Sequence, residues 1–574
     1  MFRKSLILAA ALLAGTSLGA LAQTVTSGTP TVTQLKNGTP LDGINYGFVL
    51  TDGSLLFQGG FLFDWYRFFP DKSGSYVNGT YSVVASLPND YIPYATSGGV
   101  LPDGRVLLIG GEYLLENTNT LVFAFTNKMA VYDPKANTWT MVAPPKGWTT
   151  VGDSPWSFLA DGRMLLGQKF SKRAAVLDPK TLTWTEVNTT GKDDVHAEEG
   201  FTLLPDGSVL TVNMTDYPYA QRFIPNADPT QTMWVGAGKT PETLPATDIN
   251  SVSDGIHWGQ GQVYFPPGEI GPAILRPDGT VFATGAVCTV KGPASDPNAC
   301  TIYHPVGHTA ILDLGFGGPR AATLSGPWTA GPDFPDNTGA GDAFANLLPN
   351  GNVFVQANPP GFTNDRLARA QTRYERIKAH AGGPVAAAAA APAFPAASAA
   401  CPPANTWSFY EFNGAKLIPE PVAAFCNFQP STLLLPTGEV MINGQEVYKT
   451  TGTFLNAWRP TITKAPSDVA AGGSYEIFGT QFNGLSQANA FGDEFQVSTN
   501  YPLVRITNSK TGIVTYATTH DFSSMGVATG TRIVSTRFDV PKTIELGDST
   551  LQVVANGIPS RSVPVTVGAE EASR

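Results

Sequence analysis

Several acidic residues of this chain stand directly in front of short apolar runs, where a strand would begin. Asp153 lies in VGDSPWSF, His196, Glu198 and Glu199 in DDVHAEEGF, Glu269 in PPGEIGPA, and Asp342 in GAGDAFAN. Carboxylates brought together from separate strands can coordinate a hard cation such as calcium or accept hydrogen bonds from sugar hydroxyls. They can also serve as general acid and base when crowding raises one pKa. The competing reading is structural: an acidic residue before a strand can accept backbone N–H bonds from its neighbour and pin the fold. Both readings stay open. His257 and Trp258 in GIHWGQ, and His304 and His308 in YHPVGHT, are weaker candidates.

The elements that must position these residues announce themselves through a phrase that recurs seven times. TDGSLLF, PDGRVLL, ADGRMLL, PDGSVLT, PDGTVFA, PNGNVFV and PTGEVMI place turns at Asp52-Gly53, Asp103-Gly104, Asp161-Gly162, Asp206-Gly207, Asp278-Gly279, Asn350-Gly351 and Thr437-Gly438. Asp-Gly or Asn-Gly between β-prone runs reads as a two-residue hairpin turn with positive backbone dihedrals. The spacings of 51, 58, 45, 72, 72 and 87 residues fit one four-stranded blade per repeat, the later ones carrying insertions. The expected fold is all-β, a seven-bladed β-propeller.

A second phrase supports the blades. Tyr132 to Trp139 (YDPKANTW) and Leu177 to Trp184 (LDPKTLTW) follow hairpins, with weaker copies ending at Tyr81, Trp234 and Trp328. Asp-Pro starts a turn, and the closing aromatic fills the space between sheets. Gly59-Gly60 and Gly110-Gly111 end second strands where backbones approach closely.

Composition narrows the function classes. With 574 residues, 42% of them hydrophobic, the chain can bury a large core, and 60 glycines with 46 prolines suit short strands and tight turns. A net charge of -10 argues against a nucleic-acid partner. Arg3 and Lys4, the apolar stretch Leu6 to Leu18, and Ala20-Leu21-Ala22 read as a signal peptide over residues 1–22. No other apolar run approaches the roughly 20 residues that span a bilayer, so no membrane span is expected. The expected location is secreted or periplasmic. In that oxidising setting the four cysteines are expected to pair as Cys288 with Cys300 and Cys401 with Cys426. Residues 366–404 break the blade pattern: a basic, helix-compatible run, RLARAQTRYERIKAH, leads into an Ala/Pro-rich tract. It reads as a solvated insertion, or else as a docking lid.

These phrases resemble kelch repeats, and their arrangement is similar to the galactose oxidase family over most of the chain. The resemblance implies a seven-bladed kelch propeller over 23–456 and an immunoglobulin-like β-sandwich over 457–574. It also implies that a Thr-His loop of the second domain reaches the central channel, a place held by Thr519-His520. That family binds copper through two tyrosines and two histidines, one tyrosine being cross-linked to a cysteine. Its adjacent Tyr-His pair falls here on Phe428-Gln429, and phenylalanine cannot ligate. The cross-linked Cys and Tyr each stand eight residues before a hairpin turn. Carried through this chain, that offset returns Ile44, Ala95, Asp153, Glu198, Ile270, Asp342 and Gln429, with Tyr94 and Glu269 one place earlier. The set lacks the copper-radical ligands and argues against copper. No resident cofactor is expected, with calcium as the alternative. The candidate ligand-binding residues are therefore Asp153, Glu198, Glu269, Asp342, Gln429 and His520. The expected function is a non-redox binding module for carbohydrate or a cell-surface polymer. The alternatives are an extracytoplasmic enzyme acting on carbohydrate or alcohol, or a structural surface protein.

Overall fold

The computed structural model describes residues 28–570 apart from 41–42, 61, 89, 117–119, 215–217, 242–243, 245–269, 286, 292–299, 305–306, 317–327, 337, 360–405, 423–424 and 427–428. The fold is all-β, and its larger part is a seven-bladed β-propeller. Residues 1–22, expected to be a signal peptide, and the insertion 366–404 lie outside the described residues.

Each blade is a four-stranded antiparallel sheet. Its first strand lies innermost: Ile44–Val49, Ser97–Val100, Trp156–Phe158, Thr202–Leu203, Ile270–Leu275, Ala345–Leu347 and Thr432–Leu434. First and second strands are almost wholly buried, as their continuous apolar runs require, whereas fourth strands such as Thr138–Val142 alternate towards solvent. The N-terminal strand Thr31–Gln34 is the fourth strand of the last blade, pairing Thr31 with Lys449 and Gln34 with Glu446. Chain start and propeller end thus close the ring together.

The seven turns are alike, though not of the expected two-residue kind. At the first, Leu50 N–H donates to Ser54 O (2.7 Å) and Gly53 N–H to Leu50 O (3.0 Å). Only the glycine has a positive φ, 75°, and the Asp52 carboxylate accepts from Ser54 N (3.1 Å). This is a three-residue loop ending in a left-handed glycine. The aspartate serves as a side-chain cap of the turn rather than as a second left-handed residue.

The fourth-strand aromatics pin neighbouring blades. Tyr81 donates to Gly444 O (2.7 Å), Trp139 to Ala85 O (2.8 Å) and Trp328 to Ala237 O (2.8 Å), each bond crossing from one blade to the preceding one around the ring. The Trp139 ring also packs 4.8 Å from that of Trp65.

From Thr461 onward a second group of strands buries its own core, including Ile477, Val504, Ala517, Phe538, Leu551 and Val565. It packs against the turn face of the propeller. A Cβ on Gly53 would meet the Tyr516 ring at 2.5 Å, and one on Gly438 would lie 3.1 Å from Gly557 O.

The expected disulfide Cys288–Cys300 meets an unfavourable register. Strands Val287–Lys291 and Cys300–His304 pair with Cys288 opposite Tyr303 and Cys300 opposite Lys291. That stagger of three residues, at about 3.3 Å each, exceeds the Cα separation of about 7 Å that a disulfide spans. Cys401 lies outside the described residues, and Cys426 is paired in register with Thr406.

Candidate functional site at the channel mouth

One segment of the C-terminal region leaves its sheets and runs through the propeller's centre. Asn483 anchors its base, donating to Asn500 O (3.0 Å) and Ser524 O (2.6 Å). Gln487 accepts from Leu203 N (2.7 Å) and donates to Ser157 Oγ (3.1 Å). Asn489 Oδ1 accepts from Asn346 Nδ2 (2.6 Å) and Leu434 N (3.0 Å), and Asn489–Ala490 adds a short strand to the inner edge of Ala345–Leu347. The inner strands of the blades present backbone groups to the channel. A polar, amide-rich segment can satisfy them where water otherwise would.

At the far end this segment turns through Phe491, Gly492, Asp493, Glu494 and Phe495. Trp156 Nε1 donates to Glu494 O (3.0 Å), and Glu494 N to Asp493 Oδ1 (2.9 Å). A Cβ on Gly492 would stand 2.6 Å from Ile270 O and 3.5 Å from Asp342 Oδ1. The backbone therefore threads closely between the fifth and sixth blades.

The blades meet it with carboxylates. Asp153 follows Gly152, whose φ is 76°, and Glu198 and Asp342 themselves adopt φ of 52° and 47°. A left-handed residue thus turns the chain into the inner strand at each of these places. Behind Asp153, the bare Cα of Gly110 allows close approach, since a Cβ there would lie 2.2 Å from Gly152 O.

Lys169, in the loop after Met164–Gly167, brings its ammonium into the middle of this group. It is 2.7 Å from Glu198 Oε1, 3.9 Å from Asp493 Oδ2, and paired with Asp153. Asp153, Glu198 and Asp493 each offer an oxygen within 4.8 Å of the others, and so do Asp342, Asp493 and Glu494. Asp493 belongs to both groups.

Burial works to lower the Lys169 pKa, but Asp153, Glu198, Asp493 and Glu112 outweigh it and hold the ammonium well above its ordinary value. One ammonium cannot balance so many carboxylates. Burial first, then mutual repulsion, pushes Asp153, Asp342 and Asp493 well above the usual carboxylate range.

The rim adds other chemistry. Gln429, half-buried, donates to the backbone carbonyl of Asp342 and to Gln356 Oε1 (3.1 Å). Tyr94, also half-buried, has its ring 6.2 Å from Phe495 and 6.0 Å from Tyr113.

The structure thus brings together Asp153, Glu198, Asp342 and Gln429. It places His520 elsewhere. Thr519 and His520 continue the strand Val514–His520, opposite Phe538 and Arg537, on the turn face of the propeller. Thr519 donates to Pro502 O (2.6 Å), and the His520 ring contacts Asp521 (3.0 Å) and Asp539 (3.2 Å). Regular pairing holds this loop in its sheet, and the segment around Asp493 enters the channel instead.

Glu199 and His196 form a separate buried network. Lys192 Nζ pairs with Asp194 and lies 2.6 Å from Glu199, while His196 Nδ1 is 3.2 Å from Glu199 Oε2. Burial, then the neighbouring Lys192, holds His196 well below its ordinary pKa, as befits a neutral packed ring. His308 sits outside the site, 2.9 Å from Asp333. His257, Trp258, Glu269 and Phe428 lie outside the described residues, as does the side chain of His304.

Three participants escaped sequence reasoning: Lys169, Asp493 and Glu494. The available signal was the acidic pair in AFGDEFQ, flanked by two phenylalanines in an otherwise amide-rich stretch.

No family profile and no curated protein matches this chain. Solved structures do resemble it. A fungal alcohol oxidase of the AA5 family in complex with copper has 13% identity over 95% of this chain and 100% of its own, with a TM-score of 0.43. A virginiamycin B lyase from Staphylococcus aureus has 10% identity over 74% of this chain and 99% of its own, with a TM-score of 0.39. YCF48 bound to D1 peptide has 10% identity over 76% and 100%, with a TM-score of 0.37. At such identities and TM-scores the likeness carries no argument about chemistry.

Proposed function

We propose that this is an exported, non-redox binding protein that holds a polyhydroxylated ligand, a carbohydrate or cell-surface polymer, at the acidic mouth of its central channel. The observation that carries the reading is the convergence of Asp153 and Glu198 with Asp493 around Lys169, and of Asp342, from a third blade, with the same Asp493. Carboxylates there can accept hydroxyl hydrogen bonds, the Gln429 amide supplies a further polar group, and Tyr94 offers a ring face beside them. The offset positions that would need tyrosine, cysteine and histidine for a copper-radical centre carry aliphatics, carboxylates and an amide. Export rests on residues 1–22. Among the described residues no helix is long and apolar enough to cross a membrane. The strands from Thr461 onward are read as an immunoglobulin-like sandwich that anchors the channel segment.

A second reading has one observation in its favour. Asp342 is the half-buried member of the group, and its carboxyl is pushed up by burial and by Asp493. A protonated carboxyl beside ionised ones can act as a general acid on a glycoside or alcohol.

Titration of the mature protein against a panel of polysaccharides, sugars and primary alcohols separates the two. Saturable binding without turnover, abolished by Asp342→Ala, is the expected result. Peroxide release or chain cleavage would overturn the binding role in favour of an enzyme.

A further inference from the structure

We infer that the channel mouth holds a hard divalent cation of the calcium type between Asp342, Asp493 and Glu494. This deepens the binding role proposed above and rests on it for the identification of the mouth as the working site.

The two carboxylate groups that share Asp493 are not equivalent. The group of Asp153, Glu198 and Asp493 already encloses a tethered cation, because the Lys169 ammonium pairs with Asp153 and lies 2.7 Å from Glu198. The same ammonium reaches Asp493 Oδ2 only as an ion pair at 3.9 Å, beyond hydrogen-bonding range. Asp493 is 1% exposed, its Oδ1 accepts from Glu494 N, and its Oδ2 receives no hydrogen bond among the described residues. A buried carboxylate oxygen without a donor is costly unless a proton or a metal satisfies it.

Geometry and donor type favour a metal of a particular class. Oxygens bound to one calcium at about 2.3–2.6 Å can be no more than about 5 Å apart. Asp342, Asp493 and Glu494 meet that limit, each offering an oxygen within 4.8 Å of the others. All the donors are oxygens, which suits calcium and disfavours the softer metals. Asp342 is half-buried, so a cation held here keeps coordination positions towards solvent for water or for ligand hydroxyls.

Terbium titration of the full mature chain tests this. The Trp156 indole, hydrogen-bonded to the Glu494 carbonyl at 3.0 Å, stands close enough to sensitise terbium luminescence. The expected result is a saturable signal displaced by calcium and strengthening as pH rises, because the carboxylates must lose protons to ligate. Asp493→Asn and the more exposed Asp342→Asn should each weaken affinity at least about tenfold, while Glu420→Gln, beyond the outermost strand of the sixth blade, leaves it unchanged. No saturable signal, or affinity unaltered in both site variants, would overturn the inference. Polysaccharide binding that persists in chelator sinks the cation and spares the binding role. Cation binding without any polysaccharide binding does the reverse.

Discussion

Lys169 is 0% exposed, yet its ammonium faces three carboxylates, and this one side chain decides the charge balance of the channel mouth. Replacing it with methionine keeps the bulk and leaves Asp153, Glu198 and Asp493 uncompensated. The expected loss is about 3–5 kcal/mol of stability near neutral pH, measured by urea unfolding. The loss should shrink at pH 5, where Asp153 and Asp493, already pushed up, take protons instead; an equal loss at both pH values would contradict the charge argument. At this scale the sequence was partly legible. Asp153, Glu198 and Asp342 could be reached because each lies a fixed distance before a hairpin turn. Lys169 follows a second strand and Asp493 belongs to no hairpin, so no ruler in the sequence leads to either.

Among the elements, the sixth and seventh blades meet through a proton-sensitive seam. The Tyr448 hydroxyl lies 2.5 Å from Glu411 Oε1 and 2.8 Å from Glu420 Oε2. One hydroxyl carries one proton, so both contacts are hydrogen bonds only when a carboxyl supplies a second. Burial, with Glu411 adding to it against the Tyr448 hydrogen bond, pushes Glu420 from 4.5 up to about 7. A carboxyl whose folded pKa is raised favours folding below its unfolded pKa, and that contribution is lost as pH rises through the folded value. Between pH 4.5 and 7 the seam should therefore weaken. Tyr448 also pairs in register with Val32 of the ring-closing strand, so the effect falls on the closure itself. Denaturant midpoints should fall across that interval in the native protein, and Glu420→Gln should flatten the slope. An unchanged slope would remove the seam as its cause. The blades were legible because Asp-Gly turns and closing aromatics are local signals. The turn type was not, since the cap from the aspartate to the second residue beyond it substitutes for a second left-handed residue.

In the whole molecule, one segment couples the two groups of strands. Asn489 bonds Asn346 and Leu434, in the inner strands of two blades, while its own chain is rooted among the C-terminal strands. Asn489→Ala leaves buried partners unsatisfied and should cost about 1–3 kcal/mol. Native calorimetry should show one cooperative transition, and the variant should begin to separate into two; two transitions in the native protein would show that the segment does not couple them. The sequence by itself determined the blade count and the ring of inner strands. Each of these is written in short-range patterns of turn residues and alternating apolar runs. Only the tertiary structure decided which C-terminal segment fills the channel, that Asp493 and Lys169 complete the acidic group, and that His520 stays in its sheet. Those outcomes depend on contacts between residues hundreds of positions apart, where satisfying buried backbone groups and balancing buried charge select the partner, and no local spacing records that choice.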